Sequence, residues 1–286
     1  MILKEVHCGF FKLDGGAMFG VVPQVMWKKL NPPDDDNLCT WAMRCMMVRD
    51  GDRTILFDTG MGGKQDEKFR GHFHPHGEQS MESSLRDIAI PFEEVTDVFL
   101  THLHFDHCGG ALYKNSQEEI LPTFPNATYW TNLKHLDWAL NPNPREKASF
   151  LKENIVPLAE QKKFKYLPVE NGVHLTENII VDFYNGHTEA MMVPTIHLPD
   201  GKKVVFAADL LPSAAHARMP YVMSYDIRPL VTLQEKQSWY DKIANDKDSY
   251  IYFEHDKDHT LGQLVTNDKG RYQIVTAELG DLAPAV

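Results

Sequence analysis

The chain has 286 residues, 43% of them hydrophobic, which is enough to enclose a sizeable core, and no linker divides it. Its formal charge is −11 with basic residues scattered, which excludes the electrostatic footprint of a nucleic-acid or anionic-membrane binder, and no apolar run reaches the ~18 residues of a membrane span. Met1-Ile2-Leu3-Lys4-Glu5-Val6 has no basic flank before a long apolar stretch, and Cys8, Cys39, Cys45 and Cys108 show no CxxC spacing, so a cytoplasmic protein with reduced thiols is expected.

The opening reads as short strands separated by a long connection over 14–37. Its apolar Met18, Phe19, Met26 and Trp27 suit a wall for an apolar ligand or, slightly better, a satellite core beneath a loop. Residues 41–48 and 54–57 are expected to pair as a hairpin about Asp50-Gly51, the second strand delivering Asp58 at its end. There Asp58 could accept the free N–H of a ligand histidine, or simply cap a turn. The segment Gly71-His72-Phe73-His74-Pro75-His76-Gly77 has no interleaved carboxylate or cysteine and reads as an irregular exposed loop rather than a metal site. A helix is expected from about Ser80, with Leu85 and Ile88 facing inward.

Residues 95–100 form an apolar, β-branched run that predicts a buried strand, and Thr101-His102-Leu103-His104-Phe105-Asp106-His107-Cys108-Gly109-Gly110 follows it directly. Four ligand-type residues thus leave one strand end within six positions, a density that points to a metal. An extended chain would set His102, His104 and Asp106 on one side, and a turn at Asp106-His107, loosened by Gly109-Gly110, would bring His107 to the same cavity.

Beyond this stretch, 127–130 reads as a strand, and helices are expected over 133–140 and from Asn143, where Asn143-Pro144 offers a cap and a first turn. His135 and Trp138 share a face of the first helix and read as packing or surface residues. Residues 191–197 and 203–208 flank a turn at Leu198-Pro199-Asp200-Gly201-Lys202; an antiparallel hairpin there brings His187 beside Asp209 and leaves His197 at the far end. Thr232-Leu233-Gln234-Glu235 has capping-box spacing and predicts a helix with Trp239 and Ile243 inward. Residues 249–254 read as a strand that ends at His255, and the tail is expected to hold one last strand near 272–275.

The collected candidates, His102, His104, Asp106, His107, His187, Asp209 and His255, all lie at or just past strand ends. This HxHxDH motif, later histidine, aspartate and last histidine, with Asp58-Thr59-Gly60 ending an earlier strand, resembles the metallo-β-lactamase superfamily over about residues 40–260. The resemblance implies an α/β fold, an αββα sandwich of two mixed β-sheets flanked by helices, as a single metallo-β-lactamase-like hydrolase domain over 1–286. It implies a dinuclear centre with His102, His104 and His187 on one metal, Asp106, His107 and His255 on the other, and Asp209 bridging. Seven ligands for two ions leave open positions, and a purely nitrogen and oxygen set favours two zinc ions (Zn2+) per chain, with manganese, iron or cobalt accommodated. The implied chemistry is attack of a metal-bridging hydroxide on an ester-like carbonyl or phosphoryl centre, with Asp106 orienting the nucleophile and passing its proton to the leaving group.

Particular residues narrow the branch. Asp209 stands where one subclass of zinc β-lactamases carries cysteine, and His104 where flavin-linked di-iron relatives carry glutamate; the acidic charge departs from RNA-processing members, and the short tail from glyoxalase II-type thioesterases. Residues 14–23 and 209–216 resemble the quorum-quenching N-acyl-homoserine lactonases and methyl-parathion-type hydrolases. The expected activity is the opening of lactones with an apolar acyl chain. An organophosphate triester hydrolase or a β-lactamase-like hydrolase is the alternative, and open coordination argues against a non-enzymatic metal-binding protein. Pro212 replaces the tyrosine that lactonases carry three residues after the bridging aspartate, so the oxyanion donor falls to Tyr221, Tyr225 or His216, with Tyr221 and His216 named as catalytic candidates although loop packing is their ordinary role. The expected partner is a small-molecule substrate, with no nucleic acid and no membrane; a homodimer is left open.

Overall fold

The structure is a computed structural model that describes residues 1–282. Its first half builds one sheet. Strand β1 (Ile2–Asp14) connects through the short helices α1 (Gly15–Phe19) and α2 (Gln24–Trp27) to β2 (Leu38–Asp50), which turns into β3 (Arg53–Phe57). Helices α3 (Glu67–Phe73) and α4 (Met81–Asp87) precede β4 (Asp97–Phe99); α5 (Phe105–Cys108) and the ribbon β5 (Leu112–Lys114) and β6 (Ile120–Pro122) precede β7 (Thr128–Thr131). Helices α6 (Leu133–Leu140) and α7 (Lys152–Glu160) and strand β8 (Phe164–Tyr166) close this half. The sheet order is β1-β2-β3-β4-β7-β8, antiparallel as far as β3 and parallel from there.

The second half supplies β9 (Val173–Thr176), β10 (Ile179–Tyr184), β11 (Met191–His197), β12 (Lys203–Phe206), α8 (Pro229–Ile243), β13 (Ser249–Tyr252), β14 (Leu261–Thr266) and β15 (Tyr272–Ala277). They form a second sheet in the order β15-β14-β13-β12-β11-β10-β9, antiparallel except where β12 lies parallel to β13.

Alternation along β2 shows why the sheets stack. Met46 and Val48 join Ile55 and Phe57 in a core shared with Val181, Met192, Val204 and Phe206 of the second sheet. Cys45 and Met47 point the other way, into a core with Leu85 of α4, Leu136 of α6 and Leu158 of α7. Each fully buried side chain of this size contributes ~1.5–3 kcal/mol, so the pattern fixes the register of the strand. Trp239, Tyr240 and Ile243 of α8 complete the packing around the second sheet. The result is two mixed sheets between helices. Because β3 and β4 are parallel, and β12 and β13 likewise, their carboxyl ends open together at an edge, the usual place for a site in such sheets.

Several expectations need correction. β1 is one long strand, because a bulge between His7 and Phe10, with Gly9 at φ +89°, lets pairing resume past the interruption. The histidine-rich segment is partly helical: Asp66 caps α3 by accepting from Phe69 N at 2.7 Å, and Phe69 and Phe73, four apart, pack on Phe105. At Asn143 the expected helix does not form. Asn143 Oδ1 does accept from Arg145 N and Glu146 N, but its amide donates to Glu146 Oε2 and Ser149 O accepts from Phe105 N, so the turn is consumed by outside partners and helix resumes only at Lys152. α8 starts earlier than expected, with Pro229 in its first turn, and Glu235 accepts from Asn185 N and Gly186 N rather than closing a capping box. The tail holds β14 as well as β15.

Candidate metal centre

The motif leaves β4, runs irregularly through His104, and enters α5 at Phe105, so Asp106 and His107 sit on a helical turn instead of continuing the extended run. Phe105 N donates to Ser149 O and Cys108 N to His104 O, which closes that turn. Gly109 and Gly110 serve close packing rather than looseness: an added Cβ would fall 2.1 Å from Met61 O and 2.1 Å from Thr59 O respectively. His187 precedes β11, Asp209 follows β12 and His255 follows β13, so the hairpin geometry expected from sequence sets His187 Nε2 3.0 Å from Asp209 Oδ2.

Two groups of donor atoms result. His102, His104, His187 and Asp209 bring one donor each within 4.8 Å of one another, and Asp106, His107 and His255 do the same. In the first, His102 Nε2 and His187 Nε2 lie 3.0 and 3.2 Å from His104 Nδ1. In the second, His255 Nε2 lies 3.2 Å from His107 Nε2 and 3.8 Å from Asp106 Oδ2. Asp209 faces both, with Oδ2 3.5 Å from His107 Nε2 and Oδ1 3.3 Å from His255 Nε2. Ligands ~2.0–2.1 Å from a tetrahedral zinc stand about 3.3 Å apart, and these separations bracket that value.

The outward nitrogens decide which atoms point in. His107 Nδ1 is 3.0 Å from Asp58 Oδ2, His187 Nδ1 is 2.8 Å from Asp226 Oδ1, and His255 Nδ1 is 2.8 Å from Ala42 O. His102 Nδ1 donates to Thr101 Oγ1, whose own hydroxyl donates to Asp58 Oδ2 at 2.5 Å. Each acceptor assigns the proton to Nδ1 and leaves an Nε2 lone pair facing the centre. His104 is reversed, with Nδ1 inward and Nε2 buried, lacking a hydrogen-bond partner, 3.7 Å from Glu146 Oε1. Asp209 Oδ1 is likewise buried without a hydrogen bond. Converging lone pairs and an orphaned carboxylate oxygen are what a pair of cations would satisfy, so the donor set fits the two ions that its composition implies.

Electrostatics agree with this fit. Burial opposes charge on His187 and His255, yet Asp209, with Asp226 and Glu254, overrides it and lifts their pKa values to about 10 and about 9. Burial and the neighbouring histidines hold His102 well below its ordinary value. Asp209 is kept ionised by the surrounding imidazoles despite its burial.

Three buried carboxylates here were not anticipated from sequence. Asp226 orients His187. Glu146 receives Thr188 Oγ1 at 2.6 Å on one oxygen and Trp138 Nε1 at 2.8 Å on the other, and its pKa falls to about 2 because these donors and His104 outweigh burial. Glu254 Oε2 lies 3.1 Å from His107 Nδ1, opposite Asp58. His135, read as packing, carries the motif backbone: its Nε2 accepts from Leu103 N at 2.8 Å. None of these has a periodic or motif signal; Glu254 alone was signposted, by its place directly before His255.

A cleft of about 260 Å3 opens over the centre, lined by Asp106, Asp209, His104, His187 and His255 together with apolar Leu13, Met18, Phe73, Phe105 and Met223. The 14–37 connection divides: Met18 faces this cleft, Phe19 and Trp27 stack in a satellite core with ring centroids 5.2 Å apart, and Met26 is turned out to solvent. Tyr221 and His216 are not among the residues lining the cleft. His216 is buried, with Nε2 2.9 Å from Met18 O and Nδ1 2.7 Å from Ser213 Oγ, and stacks on Phe19. Tyr221 packs in the same satellite core. Tyr225 does line the cleft, and burial, with the charges of Asp106 and Asp14, raises its phenol.

Comparison with known proteins follows the same lines. The family model described as the metallo-beta-lactamase superfamily matches residues 44–255. No curated protein sequence matches the chain significantly. Among solved structures, a probable metal-dependent hydrolase from Staphylococcus aureus is similar at 23% identity and TM-score 0.84, covering 97% of each chain. AidC, a dizinc quorum-quenching lactonase bound to a product N-hexanoyl-L-homoserine, is similar at 20% identity and TM-score 0.77, covering 96% of this chain and 94% of its own. The hydrolase AbOPH in the beta lactamase superfamily is similar at the same identity, coverage and TM-score. At such identities the likeness to these structures is one of fold.

Proposed function

The chain belongs to the metallo-β-lactamase superfamily, and from that premise we propose that it is a dinuclear metal-dependent hydrolase that opens lactones bearing an apolar acyl chain. The observation that carries the reading is the pairing of two donor groups around Asp209 with a cleft whose remaining wall sets apolar Leu13, Met18, Phe73, Phe105 and Met223 beside polar Arg145, Glu146, Ser149 and Ser224. His102, His104 and His187 would hold one ion, Asp106, His107 and His255 the other, and Asp209 both. When bound, two such ions supply Lewis acidity toward the scissile carbonyl and acidify a water, zinc being the metal the donors favour.

The chain's own residues do the rest. Leu13, Met18, Phe73 and Met223 take up the acyl chain and exclude water from it. Asp106, at the cleft floor, orients the attacking water and carries a proton on its carboxylate to the leaving oxygen. Tyr225, held in its protonated form by its surroundings, donates from its hydroxyl to the carbonyl oxygen as charge develops there. This gives Tyr225 the role that the packed Tyr221 and His216 are not placed to fill. The structural likeness to AidC, a dizinc quorum-quenching lactonase, supports the substrate class.

The experiment is a panel of N-acyl-homoserine lactones, phosphotriesters, β-lactams and thioesters on metal-loaded protein. Lactone opening should rise about fourfold per added methylene while the chain still finds cleft wall, the equivalent of ~0.8 kcal/mol each. Cleavage of paraoxon-like triesters without any lactone opening would replace this reading by a phosphotriesterase, and preference for a cephalosporin would replace it by a β-lactamase.

A further inference from the structure

We propose that Cys8 and Cys45 are a peroxide-sensitive thiol pair, closing to a disulfide beneath the metal-site residues His107 and His255. The two sulfurs are 3.6 Å apart, already in van der Waals contact. Cys8 is half-buried and lines a groove of about 640 Å3 that shares no lining residue with the cleft, together with Phe10, Thr59, Arg70, His76 and Gln79. Cys45 is fully buried behind it, so the pair has one sulfur that a small oxidant reaches and one that waits. The remaining thiols lack this arrangement: Cys39 donates to Asn31 O and Cys108 to Leu103 O, both buried.

Strand register explains the contact. Cys45 is paired with Val6, and Cys8, two residues further, shares the face of Val6, so the cysteines are diagonal neighbours on β1 and β2. Diagonal Cα atoms in a regular ladder are about 7–8 Å apart, beyond the ~7 Å at which a disulfide closes without backbone movement. The ladder is irregular at this point, with the bulge between His7 and Phe10 and Gly9 at φ +89°, and a bulged strand bends locally. The bond can therefore close, under strain that keeps it easily reduced, as regulatory disulfides are.

The oxidant is a peroxide. The Cys8 sulfur attacks a peroxide oxygen, the O–O bond breaks, and with the thiol proton transferred one water leaves, the sulfur being oxidised to a sulfenic acid. The Cys45 sulfur then attacks the Cys8 sulfur; the S–S bond forms, the S–O bond breaks, and the hydroxyl departs with the Cys45 proton as a second water. Two thiols are oxidised and one hydrogen peroxide is reduced to two waters.

Closure acts on residues that hold the centre. On β2, next to Cys45, Arg44 Nη1 donates to Phe253 O, Asp256 O and His259 O, and Ala42 O receives His255 Nδ1. A Cβ placed on Gly60 would lie 2.9 Å from Cys8 Cβ, so Cys8 rests on the turn where Thr59 N donates to His107 O at 2.7 Å. Drawing the sulfurs from 3.6 Å to about 2.05 Å pulls on both supports.

The test treats metal-loaded full-length protein with one to ten equivalents of hydrogen peroxide, blocks remaining thiols with a maleimide, and reads intact mass and peptides. The expected product has two thiols blocked, a Cys8–Cys45 cross-linked peptide, and full reversal by dithiothreitol. In Cys8→Ser all three remaining thiols should stay alkylatable in denaturant after the same treatment. Four unoxidised thiols, or a Cys8 sulfinic acid with Cys45 still alkylatable, would overturn the pair. Zinc competition on the oxidised protein should show about a tenfold weaker affinity at one position, absent in peroxide-treated Cys8→Ser; unchanged affinity would overturn the link to the centre while the mass result stands independently of the proposed metal role.

Discussion

Asp58→Asn is the substitution that most directly probes how the centre is held. Asp58 is fully buried at φ +56°, a conformation asparagine tolerates at least as well, so the backbone should survive the change. Its carboxylate accepts three bonds: from Thr101 N at 2.7 Å on Oδ1, and from the Thr101 hydroxyl at 2.5 Å and His107 Nδ1 at 3.0 Å on Oδ2. An amide serves only part of this set. With its oxygen toward Thr101 N, its NH2 meets the Thr101 hydroxyl, which can turn to accept, and His107 Nδ1, which can accept only by moving its proton to Nε2. That is the nitrogen aimed at the centre. With the amide flipped, two N–H donors confront each other at the Thr101 backbone. Either arrangement forfeits about one charge-assisted bond, ~1.5–3 kcal/mol, and orienting partners of this kind typically contribute 10–100-fold in metal affinity. Because Glu254 Oε2 stands 3.1 Å from the same nitrogen, the single variant should fall at the low end and Asp58→Asn combined with Glu254→Gln at the high end. Zinc competition against a chromogenic chelator gives the affinity, and nitrogen NMR of the histidine side chains gives the His107 tautomer. Wild-type affinity in both the single and the double variant, with His107 still protonated on Nδ1, would refute the reasoning.

Four further outcomes are expected. Asp209→Ala should bind neither ion well in elemental analysis, whereas His255→Ala should lose mainly one; independent, equal losses would count against a shared carboxylate. Tyr225→Phe should lower kcat for lactone opening by ~10²–10³-fold with little change in KM, and a His216→Asn enzyme should instead lose stability, which kinetics and thermal melts separate. In metal-stripped protein, His187 and His255 titrate at about 10 and about 9, above the ordinary 6.5. A raised pKa stabilises the fold fully below the unfolded value and is lost as pH rises through the folded one, so calorimetry in chelator should show Tm falling between pH 7 and 10, while the metal-loaded protein holds steady. Lys236, fully buried, donates to His216 O at 2.8 Å, Tyr221 O at 3.0 Å and Arg218 O at 3.4 Å; Lys236→Met leaves these carbonyls unpaired and should cost about 2–4 kcal/mol in urea unfolding.

What sequence made legible was whatever depends on local period and on hairpin geometry. The Asp50-Gly51 turn and the apolar run before His102 identified central strands, and the turn at 198–202 was sufficient to bring His187 beside Asp209 across a hairpin. The family motif supplied the sandwich and the order of the candidate ligands. Illegible were single residues whose role is set by distant packing. Nothing near Glu146 or Asp226 in the chain foretells that they meet His104 and His187, because those contacts are made across 42 and 39 positions by loops. Local signals also misled where tertiary partners outbid them: Asn143 makes its capping bonds without a helix, and Gly71 sits inside one because Phe69 and Phe73 find Phe105. Tyr221 and His216 were drawn toward chemistry by nearness in sequence to Asp209, yet burial against Phe19 gives them packing roles.

The distribution of charge explains why this arrangement calls for cations rather than merely tolerating them. Asp58, Asp106, Asp209, Asp226, Glu146 and Glu254 are all buried, and among the described residues their ion pairs are to histidines alone. Two other buried carboxylates are treated differently: Asp97 is clasped by Arg53, and Glu189 by Arg228 and Lys134. Burying carboxylates costs several kcal/mol each unless positive charge accompanies them, and without metal that charge must come from protonated imidazoles such as His187 and His255, whose pKa values are raised accordingly. Glu254 shows the strain directly, since burial pushes its pKa up to about 8 even with His107 beside it, and neither of its oxygens has a hydrogen bond. Two divalent ions among the Nε2 lone pairs would place their charge where these carboxylates converge, with Asp58 and Asp226 acting through the rings they orient. Metal binding and the stability of this edge of the sandwich are then one free energy, which is why the same residues that fix the chemistry should also fix how the protein responds to chelation.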